Sequence, residues 1–475
     1  MKPLSKSIER FRAYFSPGIQ KIYRLSRRFP VQRQVKFVTL GFCFVLLSCG
    51  LRVPPPVELA QVPDPAVTES ITAMEQRLEQ EYEAYFQREL ADTSLDSNQI
   101  AQVLLRQIRL YGRKAAVLWV MPKSDHLRLV LINPGSSPIV QQISEADQEK
   151  LYTVVRQFYL EVTNPRKLAT TSYLEPAQQL YNWIIQPIKT ELEASEIETI
   201  LFCLGEGLRT LPLGALHDGQ QFLIEQYGIT RIPGFNLMNH DYTQLNDAQV
   251  LAMGASEFSN QTPLPAVPVE LSTIIQETNA NPAGLWPGKA FLNDAFTQKN
   301  LDQQLSATDY KIIHLATHAE FKSGEPNQSY IQLWDSQLRL NQMPDMDWNN
   351  PPAELLVLSA CRTAVGNADV ELGFAGLALQ SGVKSALASL WYVSDLGTLG
   401  LMSEFYQQLK TATTKAEALQ KAQIAMIQQK VRFEQGELIT SKNRLSLPPE
   451  LAELNQIKMS HPFFWSGFNL IGSPW

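Results

Sequence analysis

The chain has 475 residues, 44% hydrophobic and 19% charged, a globular composition too long for one compact core and sufficient for two or three units. Its net charge of −6 conceals a basic head, in which residues 1–36 carry ten Lys/Arg against the single acid Glu9, so the remainder is strongly acidic. A basic head on an acidic body argues against nucleic acid as a partner and suits a segment held beside a membrane.

Residues 37–51 form an apolar run, Phe37 to Leu51, of 15 residues. That is short of the roughly 20 needed to span a bilayer and fits the apolar region of an export signal. The run ends in Leu46-Leu47-Ser48-Cys49, which resembles a bacterial lipobox and makes Cys49 a candidate for lipidation. The basic segment is longer than usual for such a signal, and Leu stands at the second position. An uncleaved anchor is the alternative, and a buried helix of a soluble protein is a third. The body is expected on the extracytoplasmic side of the membrane, with the cytoplasmic face as the alternative. Pro54, Pro55, Pro56, Pro63 and Pro65 mark residues 52–66 as an extended linker. Only Cys203 and Cys361 lie beyond it, so no disulfide framework is expected. Neither a CxxC pair nor zinc-ligand spacing occurs, and no metal or cofactor is implied.

Residues 67–112 read as a helical hairpin. Val67, Ile71, Met74, Leu78, Tyr82 and Tyr85 recur at steps of three and four, Asp96-Ser97-Asn98 breaks the pattern, and a second helix runs from Gln99 to Tyr111, where Gly112 stops it. The stripe is expected to pack on the main domain, residues 113–475. There the texture changes. Residues 115–120 and 127–132 read as a β-hairpin, and 199–203, 250–254, 309–316, 355–359, 385–390 and 468–471 as buried strands. Helical patterns at 145–162, 176–192, 372–381, 395–410 and 415–430 separate several of them. Continuous apolar strands alternating with helices imply an α/β fold with a mostly parallel sheet covered on both faces.

Open parallel sheets collect functional residues beyond the carboxyl ends of their strands. Two strands here end in reactive side chains, giving His314-Leu-Ala-Thr-His318-Ala319 and Leu358-Ser359-Ala360-Cys361-Arg362-Thr363. His318 and Cys361 are each expected just past a strand, and neighbouring strands would join them across 43 positions of sequence. A thiolate nucleophile, an imidazole to take and return a proton, and backbone N–H groups for the oxyanion make a minimal peptidase set. Cysteine at a strand end is nonetheless more often packing than catalysis. His314, inside an apolar run, is expected to be a hydrogen-bonded core residue. A serine hydrolase built on Ser359 lacks the Gly-x-Ser-x-Gly elbow.

These residues resemble the CHAT domain family, bacterial caspase-like and separase-like cysteine peptidases. The resemblance runs over Lys114–Trp475 and rests on Leu208–Leu216, Glu270, His314–His318, Leu358–Thr363, Gly373–Leu377, Ala388–Trp391 with Asp395, and His461–Trp465 with Gly472. It implies a three-layer α/β/α caspase-like fold with His318 and Cys361 as the dyad and the amides of Ala319 and Cys361 as oxyanion donors. It further implies a protein or peptide substrate and the chance of a protein activator. Trp391, Asp395, Asp369 and Glu371 are the candidates for the substrate pocket; Trp391 could equally be core, Asp395 a helix cap, and the other two solvated loop acids. The sequence departs from the family in Ala319, where glycine is usual, in Arg362, where an acid is frequent, and in lacking upstream helical repeats. Ala319 motivates the alternative of a catalytically silent scaffold.

Overall fold

The computed structural model describes residues 70–90, 94–246, 248–276, 284–349, 351–363, 367–452 and 458–475. The basic segment 1–36, the apolar run 37–51 with Cys49, and the linker 52–66 lie outside the described residues. Among those described, no helix is long and apolar enough to cross a membrane.

The two helices form as their capping residues dictate. In α1 (Ile71–Phe86), Ser70 accepts the N–H of Ala73, and the helix ends where Gln87 turns left-handed. In α2 (Ser97–Tyr111), Asp96 and Gln99 form a reciprocal capping box and Gly112 closes the other end at φ 74°. Met74, Leu78, Ile100 and Leu104 are buried in one core with Val117, Trp119, Leu201, Cys203 and Phe235. Each such side chain contributes about 1.5–3 kcal/mol by leaving water. The stripe therefore packs on the main domain, as its periodicity implies. Glu75 enters the same core, its two carboxylate oxygens accepting Trp119 Nε1 at 2.7 Å and the Asn236 N–H at 2.9 Å.

Strands β1 (Ala115–Pro122), β2 (Leu127–Ile132) and β3 (Ile139–Ile143) form an antiparallel meander. Helices α3 (Gln148–Thr163), α4 (Leu174–Ile184) and α5 (Lys189–Ala194) lead to β4 (Thr199–Leu204), and α6 (Leu223–Gln226) to β5 (Gly228–Ile232). β1, β4 and β5 are parallel. The second half begins with β6 (Val250–Gly254), α7 (Val267–Ile274), β7 (Ile275–Gln276) and β8 (Trp286–Leu292). It continues through α8 (Gln298–Ala307), β9 (Ile312–Phe321) and the hairpin β10 (Tyr330–Gln332) and β11 (Gln337–Arg339) to β12 (Leu355–Thr363). Helices α9 (Ala368–Ala375) and α10 (Leu377–Ser381) cross to β13 (Ser385–Ser389), followed by α11 (Asp395–Leu409) and α12 (Lys415–Ile427). A small antiparallel sheet, β14 (Arg432–Glu434), β15 (Glu437–Ile439) and β16 (Arg444–Ser446), and helix α13 (Pro449–Ala452) precede the last strand, β17 (Phe468–Gly472).

The main sheet has fourteen strands among the described residues, ordered β3-β2-β1-β4-β5-β17-β13-β12-β9-β6-β8-β7 with β10–β11 attached at β9. β17 is parallel to β5 and antiparallel to β13, so the two parallel halves run in opposite directions. This is the α/β architecture expected, a mostly parallel sheet with flanking helices. Sequence patterning missed β3, β5 and β8, whose polar and glycine positions break the apolar run. It also stopped β9 and β12 too early. His318 and Cys361 do not lie past their strands but inside them.

Candidate active site

β9 and β12 are adjacent and parallel. Val357 pairs with His314 and Leu358 with Leu315; the register then slips by one, so that Ala360 pairs with His318 and Cys361 with Ala319. Residues 316–317 of β9 thus face Ser359 alone. Such a bulge re-aims the residues that follow it. It puts Cys361 one step past the residue that pairs with His318, on strands about 4.8 Å apart. The bulge is held from the other side, because Ala255 N–H donates to the Ala316 carbonyl at 3.1 Å. Gly254 allows this approach, since a Cβ there would lie 2.7 Å from the same oxygen. β6 leaves β9 at Ala316, and β10 takes its place beside Ala319 and Glu320.

His318 is half-exposed. The ring of Phe258 lies 4.7 Å from its centroid and that of Tyr392 6.2 Å. Burial pushes the Tyr392 phenol well above its usual range, which leaves it a neutral wall. Neither ring carried a signal in the sequence beyond Tyr392 following Trp391. Ala319 is not among the non-glycine residues with positive φ, so replacing the family's glycine strains nothing in the backbone.

His314 is a core residue. It is fully buried, with Tyr406 Oη 3.1 Å from Nδ1 and Glu270 Oε1 3.1 Å from Nε2, the latter close enough for an ion pair but not aligned for a hydrogen bond. Glu270 on α7 and Tyr406 on α11 therefore clasp the strand four residues before His318. His461 is also structural, Nδ1 accepting the Phe463 N–H, with burial lowering its pKa to about 4.

The four pocket candidates separate. Trp391 is buried, its Nε1 donating to the Phe463 carbonyl at 3.0 Å and its ring against Tyr159 and Gly467. Asp395 is the first residue of α11, which Ser394 caps; its Oδ2 accepts the Ala266 N–H at 2.7 Å. Burial raises its pKa to about 7, with Glu270 adding to the rise and the Ala266 N–H opposing it. Asp369 and Glu371 lie not on a loop but in the first turn of α9, which starts before the apolar pattern that marks it. Asp369 accepts the Gly324 N–H at 2.9 Å. Glu371 is buried and accepts the Gly207 N–H at 2.8 Å; burial raises its pKa, while that N–H, Arg209 and Arg231 counter the rise. Its partners lie in the segment after β4, so it joins two parts of the fold rather than facing solvent.

A family model described as CHAT domain matches residues 174–473. No curated protein matches the chain in sequence. Among solved structures, the separase–securin complex of Saccharomyces cerevisiae is similar at 10% identity and TM-score 0.43, covering 79% of this chain and 31% of that one. The chain thus spans about a third of that separase. The complex of pro- and mature domains of Porphyromonas gingivalis RgpB is similar at 10% identity and TM-score 0.38, covering 75% and 78%. The Arg-specific cysteine proteinase gingipain R gives 11% identity and TM-score 0.36, covering 69% and 74%.

Proposed function

Because the chain belongs to the CHAT domain family, with more than half its length matched, we propose that it is a cysteine endopeptidase in which Cys361 is the nucleophile and His318 the acid and base. The observation that supports this reading is the CHAT domain match over residues 174–473, which takes in both residues on the adjacent parallel strands β9 and β12.

In the reaction, His318 takes the Cys361 thiol proton and the thiolate attacks the scissile carbonyl carbon. The amides of Ala319 and Cys361 receive the oxyanion. The intermediate collapses to a thioester as the imidazolium gives its proton to the leaving amine. Water then loses a proton to His318 as it attacks the thioester; the C–S bond breaks, the acid leaves, and the imidazolium returns the proton to the Cys361 thiolate. Asp395 is the acid of the substrate pocket on this reading. It lies three residues beyond Tyr392, which walls the His318 ring, and its carboxylate would receive a basic side chain before the cut. The enzyme is held at the membrane through residues 37–51 with its body outside the cytoplasm.

The test is cleavage of a peptide library by the full chain beside Cys361→Ala, with new termini identified by mass spectrometry. Cleavages lost in the variant support the peptidase; cleavages that persist defeat it. Protection of the body from added protease in intact spheroplasts would defeat the proposed location. The alternative of a silent scaffold, which Ala319 motivates in the sequence, loses that ground because Ala319 needs no positive φ; it predicts that Cys361 reacts with an electrophile no faster than an ordinary thiol.

A further inference from the structure

The helix that follows the nucleophile strand is fixed from three directions. β12 ends at Thr363 and α9 begins at Ala368, capped by Asn367. Through Phe374, 5.6 Å from Phe321, α9 touches the residue that pairs with Thr363 at the end of β12, so a shift of α9 is felt there. Two of the fixings come from loops of the matched domain. Glu371 holds the Gly207 N–H, and Asp369 holds that of Gly324.

The third fixing comes from outside the matched segment. The carboxyl end of α1 lies directly on α9 and α10. A Cβ at Gly373 would stand 3.0 Å from Tyr85 Oη, and one at Gly376 only 2.6 Å from the Phe86 ring. Two α9–α10 positions thus lack a side chain where α1 presents an aromatic one. Arg88, just past the helix, donates to the Leu379 carbonyl at 3.1 Å. The same helix is anchored further back, where Glu81 pairs with the buried Arg209, whose guanidinium also lies over the Tyr82 ring at 5.6 Å. α1 is thus wedged between the segment after β4 and the helices after β12.

We propose that Tyr85, Phe86 and Arg88 are positioning residues for the nucleophile, bracing α9 and through it the end of β12 that carries Cys361. The proposal rests on the peptidase reading and extends the apparatus to a helix that no family match includes.

Full-length protein is compared with Phe86→Ala, Phe86→Leu, Arg88→Ala and, as a control for lost stability alone, Leu104→Ala, which weakens the packing of α2 on β1. Three quantities are read: kcat and KM on a peptide the parent cleaves, the rate of Cys361 alkylation by iodoacetamide, and amide hydrogen exchange over residues 368–381. Phe86→Ala is expected to lower kcat at least tenfold with KM within twofold, to slow alkylation several-fold and to speed exchange. Arg88→Ala should move the same way by less, and covers the case in which Phe86→Ala fails to fold. Phe86→Leu should recover most of the rate, and Leu104→Ala should leave all three near the parent values. Unchanged kcat and alkylation in folded Phe86→Ala or Arg88→Ala, or an equal loss in Leu104→Ala, overturns the brace. If cleavage survives Cys361→Ala, it is the peptidase reading that falls, and alkylation and exchange still decide the brace.

Discussion

The two halves of the sheet are built alike and finished differently. Each has a core of parallel strands, and each carries a cysteine near the carboxyl end of one of them, Cys203 in β4 and Cys361 in β12. In the first half the strand is roofed by α1 and α2. Cys203 is fully buried, its Sγ 3.6 Å from the Pro233 carbonyl, and burial raises its thiol pKa far above the usual range. In the second half a bulge, a strand change from β6 to β10 and two flanking aromatic rings leave His318 half-exposed at the strand end. Strand architecture therefore does not set how open a strand end is; what covers it does.

The largest effect that could break this comparison is on rate. Cys361→Ala should lower cleavage by about a thousandfold or more, whereas Cys203→Ala should leave the rate nearly unchanged and cost about 1–2 kcal/mol of stability. Mapping an alkylating electrophile by mass spectrometry checks both. Cys203 should resist until the protein is unfolded, and rapid labelling of Cys203 in the native state would remove the contrast.

The next effect concerns the roof. Glu75→Ala leaves the buried Trp119 Nε1 and the half-buried Asn236 N–H without their acceptor. The expected cost is about 2–4 kcal/mol, measured by urea denaturation. One transition shared by the hairpin and the sheet is expected, because the hairpin residues lie in the same core as β1 and β4. A separate early transition of the hairpin would show it to be an appendage.

Much of this was legible in the sequence, and the exceptions share a physical origin. The helices α1 and α2, the β1–β2 turn and the α/β class follow from periodicity and local signals alone. His314 was legible as core because a histidine in an apolar strand has to find partners. What was not legible is long-range. The bulge between Leu358 and Ala360 has no local signature, yet it sets the pairing of His318 with Ala360 rather than with Cys361. Glu371 reads as a solvated acid until the fold brings Gly207 to it, 164 positions away. Arg231 sits in the short run Gly228–Ile232 like any strand residue. Only the fold shows it buried, held by the Leu211 carbonyl at 2.9 Å and Asn469 Oδ1 at 2.7 Å, with burial lowering its pKa to about 10.

A smaller effect tests the clasp on the second half. Glu270→Leu strips His314 Nε2 of its facing carboxylate and should cost about 1–3 kcal/mol. Tyr406→Phe, which removes only the hydroxyl at Nδ1, should cost about 1 kcal/mol. Thermal denaturation of both variants checks the order. If Glu270→Leu is neutral, the clasp is replaceable by apolar packing, as some buried ion pairs are.

The last effect is a pH slope from Asp395. Its ordinary pKa is 3.8, and burial with the neighbouring Glu270 raises it to about 7 in the folded chain. Between those values the folded chain keeps a proton that the unfolded chain has released. Unfolding therefore releases protons, and stability falls as pH rises across that window and levels off above about 7. Asp395→Asn should flatten this part of the stability curve. The same group gives the proposed pocket a second reading, because a basic side chain binds the carboxylate and not the acid. Cleavage after Arg or Lys should then rise through pH 7 relative to cleavage after neutral residues. Asp395→Asn should reduce that preference by about tenfold, the scale of one charge-assisted hydrogen bond. Library profiles taken at pH 6 and pH 8 on both proteins give the ratio directly. A preference for basic residues that survives the substitution would move the pocket acid elsewhere, with Asp369 next in line because its carboxylate is the more exposed of the two on α9 and is fixed by the loop that follows β9.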